Sequence, residues 1–482
     1  MPADDGVRLT HGRAGAALVV LLGALLLPAP PAAAKLRTYT LQYGPVRMAG
    51  FNVKLPKAKV RTPRVNGYIV RMNAELVDSR GRSVTIRDVM LHHLVFHRRR
   101  DSSVRNACSG PHGEPFYGTG EEQQQLRLPA GYGVRIAKDD KWRITAMLMS
   151  HSMEAFNVYI RYRVTVETGR RLTPVHAFWV RANGCSPSVS YPVFGGGAPG
   201  STDLRRYDWT APYDARIVAV GGHLHGGAKD MWLSQPRCGD RRLLDTRPFF
   251  GMPDHLYYRV RPILHEPGPV DTHYFLSKTG IAIRKGEKIR VTGAYDNANP
   301  HPRVMSIMHV YLARDTRPSK GCAALPGDIR YLQKSTNVRL EPPVVKVPLN
   351  GVNDRGHTFE IIDPPWPVRP LASGAVVDLR NNRFSRRHIS LPVGSRLTWR
   401  FVDRAKHNVL FANGPRVVGS PTLSDGREYT TRFSVAGHYE VFCYLHPVTM
   451  HQVIDVQPHA GAATVGGPGS TDGGSDSGEP GW

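Results

Sequence analysis

Cysteine is scarce: five residues in a chain of 482. Long apolar runs are scarcer. The longest, Ala14 to Leu27, has fourteen residues, too few to span a bilayer comfortably, and no later segment approaches that length. Acidic charge is short as well, with 39 Asp and Glu against 64 Lys and Arg, a net charge of +25. Such a balance first suggests nucleic acid. The arginines, however, are dispersed, and "FHRRR" at Phe96 to Arg100 is the one dense cluster. A solvated basic surface follows, with no nucleic-acid partner and with electrostatic attraction to an anionic cell surface. Long helical periods are also missing. Short runs of period two replace them, among them "GYIVRMNAEL" and "FNVYIRYRVTVE", rich in Val, Ile, Tyr and Phe. An all-β chain is expected.

What is present begins with residues 1–34, read as an export signal. Arg8 and Arg13 precede the apolar run, and "PAPPAAA" offers small residues for cleavage near Ala34. The expected location is therefore secreted or extracytoplasmic. At 482 residues the chain exceeds one ordinary core. Composition divides it into a first β-domain at 36–185, a second at 204–330, a Pro-rich linker at 338–370, a third domain at 372–458 and a disordered tail at 459–482.

The third domain holds the sharpest signal. "GHYEVFCYLHPVTMHQV" places Cys443, His446 and Met450 in C-x2-H-x3-M spacing just after a strand-like run. Upstream, "RAKHNVLF" supplies His407. One thiolate, two imidazoles and a weak thioether are the ligands of a blue type 1 copper site, which exchanges electrons with little rearrangement. The stretch resembles the plastocyanin and amicyanin branch of the cupredoxins. That resemblance implies a Greek-key β-sandwich, copper held by His407, Cys443, His446 and Met450, an electron-transport role with a redox donor or acceptor, and Asn408 tying the two ligand loops together. With Cys443 on copper, four cysteines remain. Pairs Cys108–Cys185 and Cys238–Cys322 keep each disulfide within one expected domain.

Histidines crowd the first two domains. "MLHHLVFH" carries His92, His93 and His97; "LMSHS" carries His151; "GGHLHGG" carries His223 and His225; "HPRVMSIMHVY" carries His301, Met305, Met308 and His309. On a strand, residues i and i+2 share a face roughly 7 Å apart, so His223 and His225 can converge on one ion. The adjacent pair His92–His93 needs a bulge or a strand end to do so. The order H-H, H, H-x-H, M is similar to that of the copper type II ascorbate-dependent monooxygenases, peptidylglycine α-hydroxylating monooxygenase and dopamine β-monooxygenase. The resemblance implies two jelly-roll-like β-sandwich domains and two coppers set far apart across a cleft. One would be held by His92, His93 and His151, the other by His223, His225 and Met305, with Met308 as the alternative. It also implies dioxygen and a small organic substrate that is oxidised; because both metal sets share one chain, the fused cupredoxin would replace or assist a soluble reductant. His97, His301 and His309 have no counterpart in that pattern, and no catalytic residue is assigned. The competing reading is a non-catalytic copper-binding electron carrier or copper-handling protein on a β scaffold.

Overall fold

A computed structural model describes residues 35–98, 113–186, 188–260, 264–315, 322–333, 350–352, 358–360 and 366–458. The expected export signal, Cys108, the arginines after Arg98, most of the linker and the tail lie outside the described residues. The architecture is all-β. Among the described residues the helical content is one 3-10 turn, Pro236–Cys238, and one turn of α-helix, Leu256–Arg259.

The first unit is a sandwich. One layer pairs Lys35–Met48, Phe156–Thr168 and Gly67–Val77; the other pairs Trp142–Ser150 with Val89–Arg98 and Glu114–Gly120. The alternation seen in the sequence explains the layering. In Phe156–Thr168, Val158, Ile160, Tyr162, Val164 and Val166 are fully buried, while the residues between them face outward.

The second unit is built the same way. Ser306–Arg314, Ala215–Leu224 and Tyr274–Ile283 form one layer, and Thr202–Thr210, Lys288–Asp296, Ala228–Gln235 and Arg241–Asp245 the other. The two units are not separate beads. Thr173–Arg181 runs parallel to Tyr132–Ile136 of the first unit and antiparallel to Ser306–Arg314 of the second, so one sheet of ten strands passes through both.

The third unit is a smaller sandwich with a five-stranded and a four-stranded sheet, closed around Trp399, Phe401, Tyr439, Val441 and Ile454. It does not hang free. Leu410, Ala412, Phe442, Tyr444 and Val453 join Phe51, Val53, Met90, Met147 and Met149 of the first unit and Val260 and Leu264 of the second in a single buried seam. The expected Cys238–Cys322 disulfide is present, and Cys185 is also disulfide-bonded.

Candidate metal centres

Strand Gly437–Phe442 carries the thiol site. Period two sends Tyr439, Val441 and then Cys443 into the core of the third unit, and sends Phe442 and Tyr444 into the seam. After Cys443 the chain turns tightly: the His446 N–H donates to the Cys443 carbonyl, the Met450 N–H to the His446 carbonyl, and the Cys443 N–H to the Met450 carbonyl. This turn brings the backbones of three of the expected ligands together. The fourth, His407, comes from a separate loop held by reciprocal backbone hydrogen bonds with Leu423.

The donors converge. His407, Cys443 and His446 present ligand atoms within 4.8 Å of one another. The two Nδ1 atoms are 3.2 Å apart, and Cys443 Sγ lies 3.6 Å from His446 Nδ1. Asp403 Oδ1 accepts from His407 Nε2 at 2.9 Å, which leaves the Nδ1 lone pair of His407 aimed at this spot. Met450 is fully buried in the same cluster as Cys443. Asn408 ties the loops as expected. Its N–H donates to Cys443 Sγ at 3.4 Å, and its Oδ1 accepts the Tyr444 N–H at 3.1 Å.

Burial pushes the Cys443 thiol up to about 11, although the backbone N–H groups of Asn408, Leu445 and His446 oppose the rise. His446 is pushed down to about 4 by burial and by His407. A neutral imidazole is a ready ligand at ordinary pH. The buried thiol must lose its proton to become one.

No protein-family profile matches the chain. Amicyanin of Paracoccus denitrificans is 27% identical over 96 residues, 19% of this chain and 73% of the relative. Among solved structures, an oxidised amicyanin mutant is 26% identical, covering 17% of this chain and 80% of its own, with a TM-score of 0.16. A Cu(I) amicyanin mutant is 30% identical over 18% of this chain and 86% of its own, with a TM-score of 0.17. The C-terminal unit is a cupredoxin-like domain.

Five histidines of the first two units gather at the same seam, while His151 and His223 do not line the cavity found there. A cavity of about 540 Å³ is lined by His92, His93, Met147 and Met149, by His225, His265, His301 and Met305, and by Phe411, Phe442 and Tyr444 of the cupredoxin-like domain. Register slips between Leu91 and His93 against the neighbouring strand. This is the bulge that lets adjacent histidines converge, and their Nδ1 atoms are 3.2 Å apart. His223 and His225 share a face, ring centroids 5.1 Å apart, with Leu224 between them in the core.

The two histidine sets adjoin rather than face each other across a cleft. His92 and His225 rings are 5.4 Å apart. Their proximity follows from the shared sheet and from contacts across the boundary. Glu122 of the first unit meets His223 Nδ1 of the second at 3.2 Å, over Gly120, where a side chain would press within 2.7 Å of the His223 ring. The Arg303 carbonyl accepts from His225 Nδ1 at 2.6 Å. Both rings are thus held by Nδ1, and both Nε2 atoms are buried without a hydrogen-bond partner. His151 is buried with its Nδ1 likewise unpartnered. Of the two methionines, Met305 lines the cavity while Met308 is fully buried in the second unit's core.

Burial, together with the neighbouring His223 and Arg303, pushes His93 down to about 3. His151 is pushed down to about 3 by burial and by His265. His92 and His225 are depressed for the same reasons. His223 goes the other way, because Glu122 and Glu121 outweigh its burial. His97 bonds Thr145, His301 sits on Glu266, and His309 stacks on Trp179.

Three residues of these sites carry no spacing signal. Glu121, Glu122 and His265 reach their partners through the fold, Glu121 and His265 being 144 residues apart, whereas Asp403 stands only four residues before His407.

Proposed function

We propose that the chain is an exported copper-dependent oxidoreductase in which a blue-copper electron carrier serves a histidine-lined copper cavity. The observation that carries this reading is the convergence of His407, Cys443 and His446 at the mouth of a domain whose next residue, Tyr444, lines the histidine cavity.

The donors fit the metal. His407, Cys443, His446 and Met450 would hold one copper. His223, His225 and Met305, with two unpartnered Nε2 atoms and a thioether, suit a second, and His92, His93 and His151 a third. Copper at such sites supplies one-electron exchange and, where a coordination position is open, dioxygen activation. The protein's own part is arrangement. Asp403, Glu122 and the Arg303 carbonyl fix ring tautomers, and Met147, Met149 and Met305 supply part of the cavity wall.

Contact between the donor sets is continuous. Tyr444 is covalently joined to Cys443, the Arg303 guanidinium lies 4.8 Å over its ring, and the Arg303 carbonyl bonds His225. The order of the histidine motifs supports the resemblance to ascorbate-dependent monooxygenases, and the Cys238–Cys322 disulfide fits an oxidising compartment.

The test combines copper counting with oxygen uptake. Three coppers per chain and reductant-dependent dioxygen consumption are expected. One copper, with a visible band that cycles while dioxygen is untouched, would reduce the protein to an electron carrier.

A further inference from the structure

We propose that His92, Glu121 and His265 form a metal site across the first two units, and that it takes a divalent transition-metal cation. Apart from the thiol site, these three are the group of donors that converges within 4.8 Å among the described residues. Glu121 Oε1 lies 2.7 Å from His265 Nε2 and 3.7 Å from His92 Nε2. Donors about 2.0–2.2 Å from a shared ion sit roughly 3 Å from each other, so the spacing is that of a ligand set.

The carboxylate is pinned for the purpose. Its Oε2 accepts the Gly268 N–H at 2.7 Å, and its backbone carbonyl accepts the Tyr257 hydroxyl at 2.9 Å. Glu121 is 5% exposed and His92 7%. A buried carboxylate needs a compensating charge. Among the described residues its ion pairs are with His92 and His265, not with lysine or arginine. A cation held between the carboxylate and two imidazoles meets that need. His265 Nδ1 is buried and has no hydrogen-bond partner, so no protein acceptor fixes its tautomer.

Two imidazoles and a carboxylate, with no sulfur, favour Zn²⁺, Fe²⁺ or Cu²⁺ over Cu⁺. The site is chemically distinct from the thiol site. It reaches His92 through Nε2, while Nδ1 of the same ring faces His93; a neutral imidazole offers one lone pair, so this site and the His92, His93 and His151 copper set compete for that ring. It does not rest on copper occupying the other sites.

The experiment uses the full chain carrying Cys443→Ser, stripped of metal, with Zn²⁺ as probe. Zinc is titrated by calorimetry and counted after desalting, in that background and with Glu121→Gln, His265→Ala or His223→Ala added. Glu121→Gln keeps the acceptor for Gly268 and the side-chain volume. Glu121→Gln and His265→Ala are each expected to lose one zinc equivalent, or to weaken it on the order of 100-fold. His223→Ala leaves that equivalent in place. Zinc should raise the melting temperature of the parent more than that of either variant. Unchanged zinc number and affinity in both variants overturns the proposal. So does a Glu121→Gln chain that melts lower without metal yet binds zinc like the parent, which would make Glu121 a structural brace.

Discussion

At Cys443 two requirements oppose each other. The side chain is fully buried, and burial holds its proton to about pH 11, yet a metal ligand must be a thiolate. Loading copper near neutral pH should therefore release about one proton from this residue. A pH-stat trace of copper addition measures it, and Cys443→Ser should abolish that release together with the intense visible band while leaving copper elsewhere. Asn408 makes the converse point. Asn408→Ala frees the Tyr444 N–H and unties two loops, costing about 1–2 kcal/mol; urea melts of the parent and variant read it directly. Its backbone bond to sulfur survives the substitution, so the visible band should shift rather than vanish.

His309 sets an acid limit. It is 2% exposed, stacked on Trp179, and pushed down to about 3 by burial and by His223. The unfolded imidazole titrates near 6.5, so unfolding takes up a proton below that pH. Stability from this residue is complete above pH 6.5 and drains away as pH falls toward about 3. Denaturant melts of the metal-free chain between pH 7 and 4 should show the loss, and His309→Gln should flatten the slope. The convergence of side chains was legible where donor types recur at short spacing, as at Cys443 and His446, or where the backbone demands a specific device, as at His92–His93. Glu121, Glu122 and His265 were not, because an imidazole's orienting carboxylate can come from any point that the fold brings near.

Among the elements, the strand ending at Phe442 does the most. Its alternation was visible in the sequence, but that the other face met a second domain was not, since His438 and Glu440 precede Phe442 on that face and read as solvent-facing. Tyr444 lies on the seam face, over which Arg303 stacks. Tyr444→Leu keeps apolar volume and removes the ring, so, on the proposed function, reoxidation of a reduced thiol site through the cavity should slow in stopped-flow absorbance, with the visible band itself intact. The disulfide makes a second element-level prediction. Cys238 and Cys322 close a loop of 84 residues, and Cys238→Ala with Cys322→Ala should cost about 4 kcal/mol. Thermal melts under non-reducing conditions test it.

For the molecule as a whole, the sequence indicated three β-units but not their coalescence. Period two identifies a buried face without saying what buries it. Here Leu410, Phe442 and Tyr444 are covered by Met90, Met147, Met149 and Leu264. Phe442→Ala removes a large side chain from that seam and should cost about 3–5 kcal/mol. The loss should appear as early protease cutting between the second and third units.

The ten-stranded sheet has a mechanical corollary. Seven residue pairs lock Thr173–Arg181 to Ser306–Arg314, so the first two units cannot swing apart like jaws without breaking that ladder. The buried imidazoles therefore share their cavity with the cupredoxin-like domain, whose residues Asn413, Gly414, His438 and Glu440 line part of it. In this architecture the cupredoxin-like unit is also one wall of the histidine chamber.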